Sequence, residues 1–287
     1  MQDSFLSIDM THKFAFRVAY LGKNYCGWQR QSKGGPESPV LPSIQELLED
    51  SLSRITDEKI VIIGSGRTDA GVNSVGQVAH FRTHNLKITE ENLKRGMNTY
   101  LPSDIRVMRV DRVDDDFHAQ RSAIKKQYSY YFQQGPSALP HLMENTWWIH
   151  RTLDVQAMQE SVKNLIGEHD FKAFQASDAN PLKSTVREIL EAEVTHEKMP
   201  SFPGADLDEE GYSVIRVRLV GTGFLKQMVR GIAGTLLKVG EGRRNPQEML
   251  EIIEKKDRSL VGTTAPPKGL TLERVWYSLD GSYGNTN

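Results

Sequence analysis

Apolar and polar positions alternate at the start of the chain, where Phe14, Phe16, Val18 and Tyr20 are separated by Ala15, Arg17 and Ala19. That period of two predicts a strand with one buried face. Ser43 and Glu46 then form a capping box ahead of Ile44, Leu47, Leu48, Leu52 and Ile55, whose helical spacing predicts a helix. A short strand is predicted over 60–64, a glycine-rich loop over 64–76 and a strand over 78–82. Leu93 and Met97 carry a helix over 89–100, and 105–113 reads as extended.

From Ile124 a similar order begins again. Tyr128, Tyr130 and Phe132 share one face of a strand, and Met158, Val162, Leu165 and Ile166 one face of a helix. Strands are predicted over 186–196, 213–221 and 270–279. Leu225, Met228, Val229, Ile232, Leu236 and Val239 predict an amphipathic helix over 224–239, with Lys226 and Arg230 together on a second face. Asn245-Pro246 supplies a cap and a first-turn proline for another helix. The fold class is therefore α+β, in two α/β halves, 1–113 and 114–287, with mostly antiparallel sheets. The halves are alike in layout but show no residue-level repeat.

Composition narrows the picture. The 287 residues, 38% hydrophobic and 25% charged, suit a soluble globular chain of one large or two ordinary domains. Apolar runs such as Ile60 to Ile63 fall far short of the roughly 20 residues of a spanning helix, so no membrane insertion is expected. The first residues carry an early acid and no basic stretch, so no secretory signal is expected either. A lone cysteine, Cys26, can form neither an internal disulfide nor a thiolate metal cage, which points to the cytoplasm.

Net charge is -1, yet the charges are unevenly spread. Acids crowd into Asp111 to Asp116 and Asp206 to Glu210. The segments 22–34, 117–131 and 224–244 are basic, and if they converge they form a face suited to phosphates.

Most chemical signatures fail. Gly64-Ser65-Gly66-Arg67-Thr68-Asp69 has an aspartate where a dinucleotide fingerprint needs its third glycine, and there is no phosphate-binding P-loop and no G-x-S-x-G elbow. His80 and His84 straddle a predicted strand end, where their spacing sets them about 13 Å apart, so no metal site is expected. What remains is Asp69 in a loop with Gly64, Gly66, Gly71 and Gly76. On one reading Asp69 caps a turn and Arg67 is its exposed partner. On the other, the glycines let a bulky ligand approach the carboxylate, which then needs a fixed cation, Arg67 or Arg230.

Gly66-Arg67-Thr68-Asp69-Ala70-Gly71-Val72, followed by Gly76-Gln77-Val78-Ala79-His80-Phe81, resembles the active-site signature of TruA-type tRNA pseudouridine synthases. Collinear matches extend over nearly the whole chain: Gly27-Trp28-Gln29-Arg30-Gln31, Asp116-Phe117-His118-Ala119 with Lys126-Gln127-Tyr128-Ser129-Tyr130, Gly167-Glu168-His169-Asp170-Phe171, Phe224 to Arg230, and Thr264 to Leu270.

The resemblance implies two ferredoxin-like halves forming one continuous sheet around a catalytic cleft. It implies a homodimer that isomerises uridine to pseudouridine at positions 38, 39 and 40 of the tRNA anticodon stem-loop, without cofactor or metal. Asp69 matches the catalytic aspartate, acting as nucleophile or as base. Arg67 matches the arginine that takes the place of the flipped base, Arg230 the arginine that pairs with the carboxylate, and Tyr128 the tyrosine that packs on the uracil. Trp28, Arg30, Lys125, Lys126 and Lys226 are candidate RNA contacts. Leu21, Asn73, Gln120 and Arg121 depart from the family pattern, as does the stretch Ser32 to Pro42. The alternative is a tRNA-binding or tRNA-folding module whose catalysis is vestigial.

Overall fold

The computed structural model of the chain describes residues 10–30, 41–179, 183–197 and 211–277. The acidic cluster at 206–210, most of the 32–42 stretch and the end of the last expected strand lie outside the described residues. Among the described residues the elements run β1 (His12–Tyr20), α1 (Ile44–Thr56), β2 (Ile63–Gly64), β3 (Asn73–Thr83), α2 (Glu90–Tyr100), β4 (Ile105–Arg112), β5 (Lys125–Gln134), β6 (Trp147–Ile149), α3 (Val155–Lys163), β7 (Gly167–Asp170), β8 (Val186–Glu197), β9 (Ser213–Gly221), α4 (Met228–Gly240), α5 (Glu248–Lys255) and β10 (Leu270–Trp276).

All ten strands join one sheet in the order β4-β1-β3-β10-β5-β9-β8-β7, with β2 on β3 and β6 on β5. Pairing is antiparallel except for β10 with β3 and β6 with β5. The mixed α+β class and the mostly antiparallel sheet expected from the sequence are observed. Each half repeats one strand order: β4-β1-β3-β2 in the first and β10-β5-β9-β8 in the second, the βαββαβ arrangement of ferredoxin-like units. The last strand, β10, slots between β3 and β5 and so makes the sheet continuous.

Two apolar cores lie along this sheet. Phe14, Phe16, Phe81, Leu48, Leu52, Leu93 and Met97 form one between β1, β3 and the helices α1 and α2. Tyr130, Phe132, Ile215, Val217, Ile232 and Leu236 belong to the other, which also takes in Met158 of α3. The Ser43 cap acts as the sequence indicates, its Oγ accepting from Glu46 N–H at 3.1 Å, and Thr89 Oγ1 caps α2 by accepting from Asn92 N–H at 3.3 Å.

Three local expectations are corrected. The strand over 60–64 shrinks to Ile63–Gly64, because Ile62 N–H donates to Glu49 Oε1 at 3.0 Å and its carbonyl accepts from Gln45 Nε2 at 3.3 Å, leaving nothing for a ladder. The helix over 224–239 begins at Met228, since Gln227 sits in the left-handed region at φ 60°. Lys226 is therefore in a turn, its carbonyl taken by Ala176 N–H at 3.0 Å, and it shares no helix face with Arg230. The helix after Asn245-Pro246 starts at Glu248, with Asn245 Oδ1 accepting from Gln247 N–H at 3.0 Å in the preceding turn.

Candidate active site

The glycine-rich loop leaves β2, turns through Asp69 and enters β3, and it is fastened on both sides of the turn. On the entry side Ser65 N–H donates to Val78 O at 2.7 Å, Gln77 Nε2 to Gly66 O at 2.8 Å and Lys126 Nζ to Ser65 O at 2.6 Å. Lys126 is enclosed, and burial lowers its pKa from 10.5 to about 8. On the other side Trp28 N–H donates to Thr68 O at 3.0 Å, and the buried hydroxyls of Tyr20 and Thr68 meet at 2.8 Å. Val72 N–H closes the turn on Asp69 O at 3.1 Å. A turn held this firmly presents its one carboxylate in a single place.

Arg230, in the first turn of α4, brings its Nη1 to 3.5 Å from Asp69 Oδ2 across 161 residues of sequence. Its side chain is 13% exposed and that of Asp69 31%, so the pair sits at the edge of solvent. Arg230 Nε donates to Ala265 O at 2.7 Å, and Ala265 N–H returns a bond to Arg230 O at 3.1 Å. Among the described residues Arg230 is the only ion-pair or hydrogen-bond partner of the Asp69 carboxylate. Of the two cations considered from the sequence, Arg230 therefore takes the pairing. Arg67 is exposed and makes no ion pair among the described residues.

Tyr128 is 9% exposed, on β5 opposite Leu272 of β10 and Leu219 of β9, and its ring meets Phe224 edge to face at 5.0 Å. Burial pushes its phenol upward in pKa, and Tyr20 and the Asp69 carboxylate add to the rise. Asp69 and Arg230 thus meet from a loop and a helix, with the Tyr128 phenol near enough to feel the carboxylate, while Arg67 is exposed two residues before Asp69.

The other candidates are engaged within the fold. Trp28 is 3% exposed and packs in the first core near Tyr20. Arg30 pairs with the buried Glu49. Lys125 lies 3.7 Å from Glu191 and over the Trp276 ring at 4.8 Å, and Lys226 holds Asp178 at 2.7 Å.

The reading of the glycines as room for a ligand is corrected. A Cβ on Gly64 would fall 2.6 Å from the Trp28 indole, and one on Gly76 would fall 2.0 Å from the Glu273 carbonyl on β10. The space these glycines leave is filled by the protein itself.

Sequence reasoning missed two groups. The Tyr20–Thr68 and Gln77–Ser65 pairs left no periodic signal. Asn73, singled out only as a departure, accepts from Gly22 N–H at 2.8 Å and donates to Glu144 O at 3.0 Å and Lys268 O at 2.9 Å. It joins the two halves beside the loop.

A model of the tRNA pseudouridine synthase family matches residues 17–120 and 162–278, and the chain belongs to that family, whose reaction isomerises uridine to pseudouridine. Relatives named tRNA pseudouridine synthase A resemble it over nearly their whole length. That of Bdellovibrio bacteriovorus is 40% identical over 94% of this chain and 97% of its own. That of Colwellia psychrerythraea is 38% identical over 92% and 93%, and that of Chlamydia muridarum 39% over 93% and 93%. A solved Cbf5-Nop10-Gar1 complex covers 78% of this chain and 45% of its own at 14% identity, and its TM-score of 0.31 is too low to carry weight.

Proposed function

We propose that the chain acts on positions 38, 39 and 40 of the tRNA anticodon stem-loop, with Asp69 as the catalytic carboxylate. The observation that carries this reading is the Arg230–Asp69 pair at 3.5 Å, built from residues remote in sequence and placed beside Tyr128.

The reaction breaks the ribose C1′ to uracil N1 bond, turns the base and joins C1′ to C5. The hydrogen that C5 loses is balanced by the one N1 gains, so no atom enters or leaves. A target in the stem must first leave the stack, at a cost of a few kcal/mol. Arg67, planar and exposed, suits the vacated place in the stack. The Tyr128 ring supports the base while it turns, since stacking tolerates in-plane rotation. Arg230 orients the Asp69 carboxylate toward the sugar and base.

The active species in this reading is a homodimer in the cytoplasm, a compartment that accords with the single cysteine. The test is Asp69→Asn and Asp69→Ala on transcribed tRNA, with pseudouridine mapped by chemical adduct and reverse-transcription stop. Both variants are expected to form none while binding tRNA within about tenfold of the wild type, because phosphate contacts dominate affinity. Modification by either variant would refute the assignment, and free uracil among the products would indicate a hydrolase.

A further inference from the structure

A cleft of about 370 Å³ opens between β6 and the C-terminal half of α4, outside the site described above. One wall carries Trp148 and His150, two apart along the chain and so on one side of it, with ring planes 16° apart and centroids at 6.2 Å. Trp148 is 37% exposed, and its Nε1 donates to Gly135 O at 3.0 Å, which fixes the indole while leaving part of it to solvent. Its neighbour Trp147 packs instead against Phe132 and Tyr130 in the core.

The remaining lining is charged. Arg151, Lys238 and Arg243 reach the cleft, and Lys238 and Arg243 both approach Glu241 at 3.3 Å. Three cations against one carboxylate leave the cleft positive. An exposed, anchored aromatic beside arginine and lysine matches what an unpaired nucleotide presents, a base to stack and a phosphate to hold.

The cleft and the candidate active site share helix α4. Gly234, Leu237, Lys238 and Glu241 stand four, seven, eight and eleven residues beyond Arg230, on one stripe of α4. Thr263 lines the cleft, and two residues later the Ala265 carbonyl holds Arg230. Lys238 lies about 12 Å along the helix axis from Arg230, and a stacked strand rises about 3.4 Å per nucleotide. A strand spanning that length of helix needs about three or four nucleotides.

We propose that this cleft is a second nucleotide site, which takes an unpaired nucleotide of the same RNA with its base against Trp148 and His150 and its phosphate near Arg151, Lys238 and Arg243. The RNA as ligand rests on the tRNA reading above.

The test compares the full chain with Trp148→Ala, Trp148→Phe and the double variant Lys238→Gln/Arg243→Gln. Binding is measured to an anticodon stem-loop RNA and to a blunt duplex of the same stem, over a range of salt. Trp148→Ala is expected to weaken stem-loop binding about tenfold, as for one lost stacked base, with Trp148→Phe restoring most of it and the duplex unaffected. The double variant is expected to lower the salt slope for the stem-loop by about one to two.

Unchanged stem-loop affinity in Trp148→Ala, or an equal loss on the duplex, overturns the proposal. So does a change in sedimentation of the free protein with RNA affinity intact, which would make this face a protein interface. Should Trp148→Ala fail to fold, the double variant decides, and an unchanged slope overturns the proposal. Wild-type chain that binds the stem-loop but forms no pseudouridine in it would refute the function proposed above while leaving the binding comparison standing.

Discussion

Arg230 is tied down before it reaches Asp69: its Nε donates to the Ala265 carbonyl at 2.7 Å while its Nη1 stands 3.5 Å from Asp69 Oδ2. One planar fork serves both partners in a fixed geometry, which the compact ammonium of a lysine on its flexible stem does not reproduce. Arg230→Lys is therefore expected to lower kcat on tRNA by about 100-fold through misplacement of the carboxylate, with a much smaller change in KM. Steady-state kinetics on a single transcribed tRNA check this, and a wild-type kcat would show that charge alone suffices.

The buried Tyr20–Thr68 hydroxyl pair at 2.8 Å holds the loop one residue before Asp69. Tyr20→Phe leaves the Thr68 hydroxyl without its partner, and an unpaired buried polar group costs about 1–3 kcal/mol. Tyr20→Phe and Thr68→Val should each destabilise the protein by that order, and the double variant by less than their sum. Urea unfolding of the four proteins in the cycle measures the coupling.

Lys126 gives a pH dependence of known sign. Burial lowers its pKa from 10.5 to about 8, so between those values the unfolded chain binds more protons than the folded one. Stability from this group therefore rises with pH across that window. Lys126→Met removes the titration and leaves the Ser65 carbonyl without its donor. The stability difference, wild type minus variant, should grow from about pH 8 upward; a difference independent of pH would mean that the ammonium is not desolvated.

His80 acts in the acid range. Its Nδ1 accepts from Ala119 N–H at 3.1 Å, which requires the neutral ring, and burial followed by the charges of Lys13, His118 and Arg82 lowers its pKa from 6.5 to about 4. The unfolded chain binds the extra proton between those values, so stability falls as pH drops through that window. His80→Leu should flatten that part of the profile, measured as unfolding free energy against pH. An unchanged slope would assign the acid sensitivity to other groups, such as His118.

Much of the candidate site is readable in the sequence motifs. Asp69, Arg230 and Tyr128 are readable as candidates from three separated segments, and the structure sets Arg230 against Asp69. Less visible was what each neighbour does. Trp28 and the glycines of the loop looked like ligand-facing features, because a glycine in sequence does not say what occupies the space beside it. Lys126 reads as a candidate RNA contact, although its ammonium is turned inward onto the Ser65 carbonyl.

By itself the sequence determined the local elements and their caps: the alternation in β1, the Ser43 cap of α1 and the apolar stripe of α4 each depend on residues a few positions apart. Tertiary structure alone decided that β10 lies between β3 and β5 and that Ile62 pairs with α1 side chains instead of a strand. The physical reason is range. Periodicity and capping act between near neighbours, whereas the partner of a buried carbonyl, ammonium or carboxylate is chosen only when distant segments close together and every enclosed polar group has to find one.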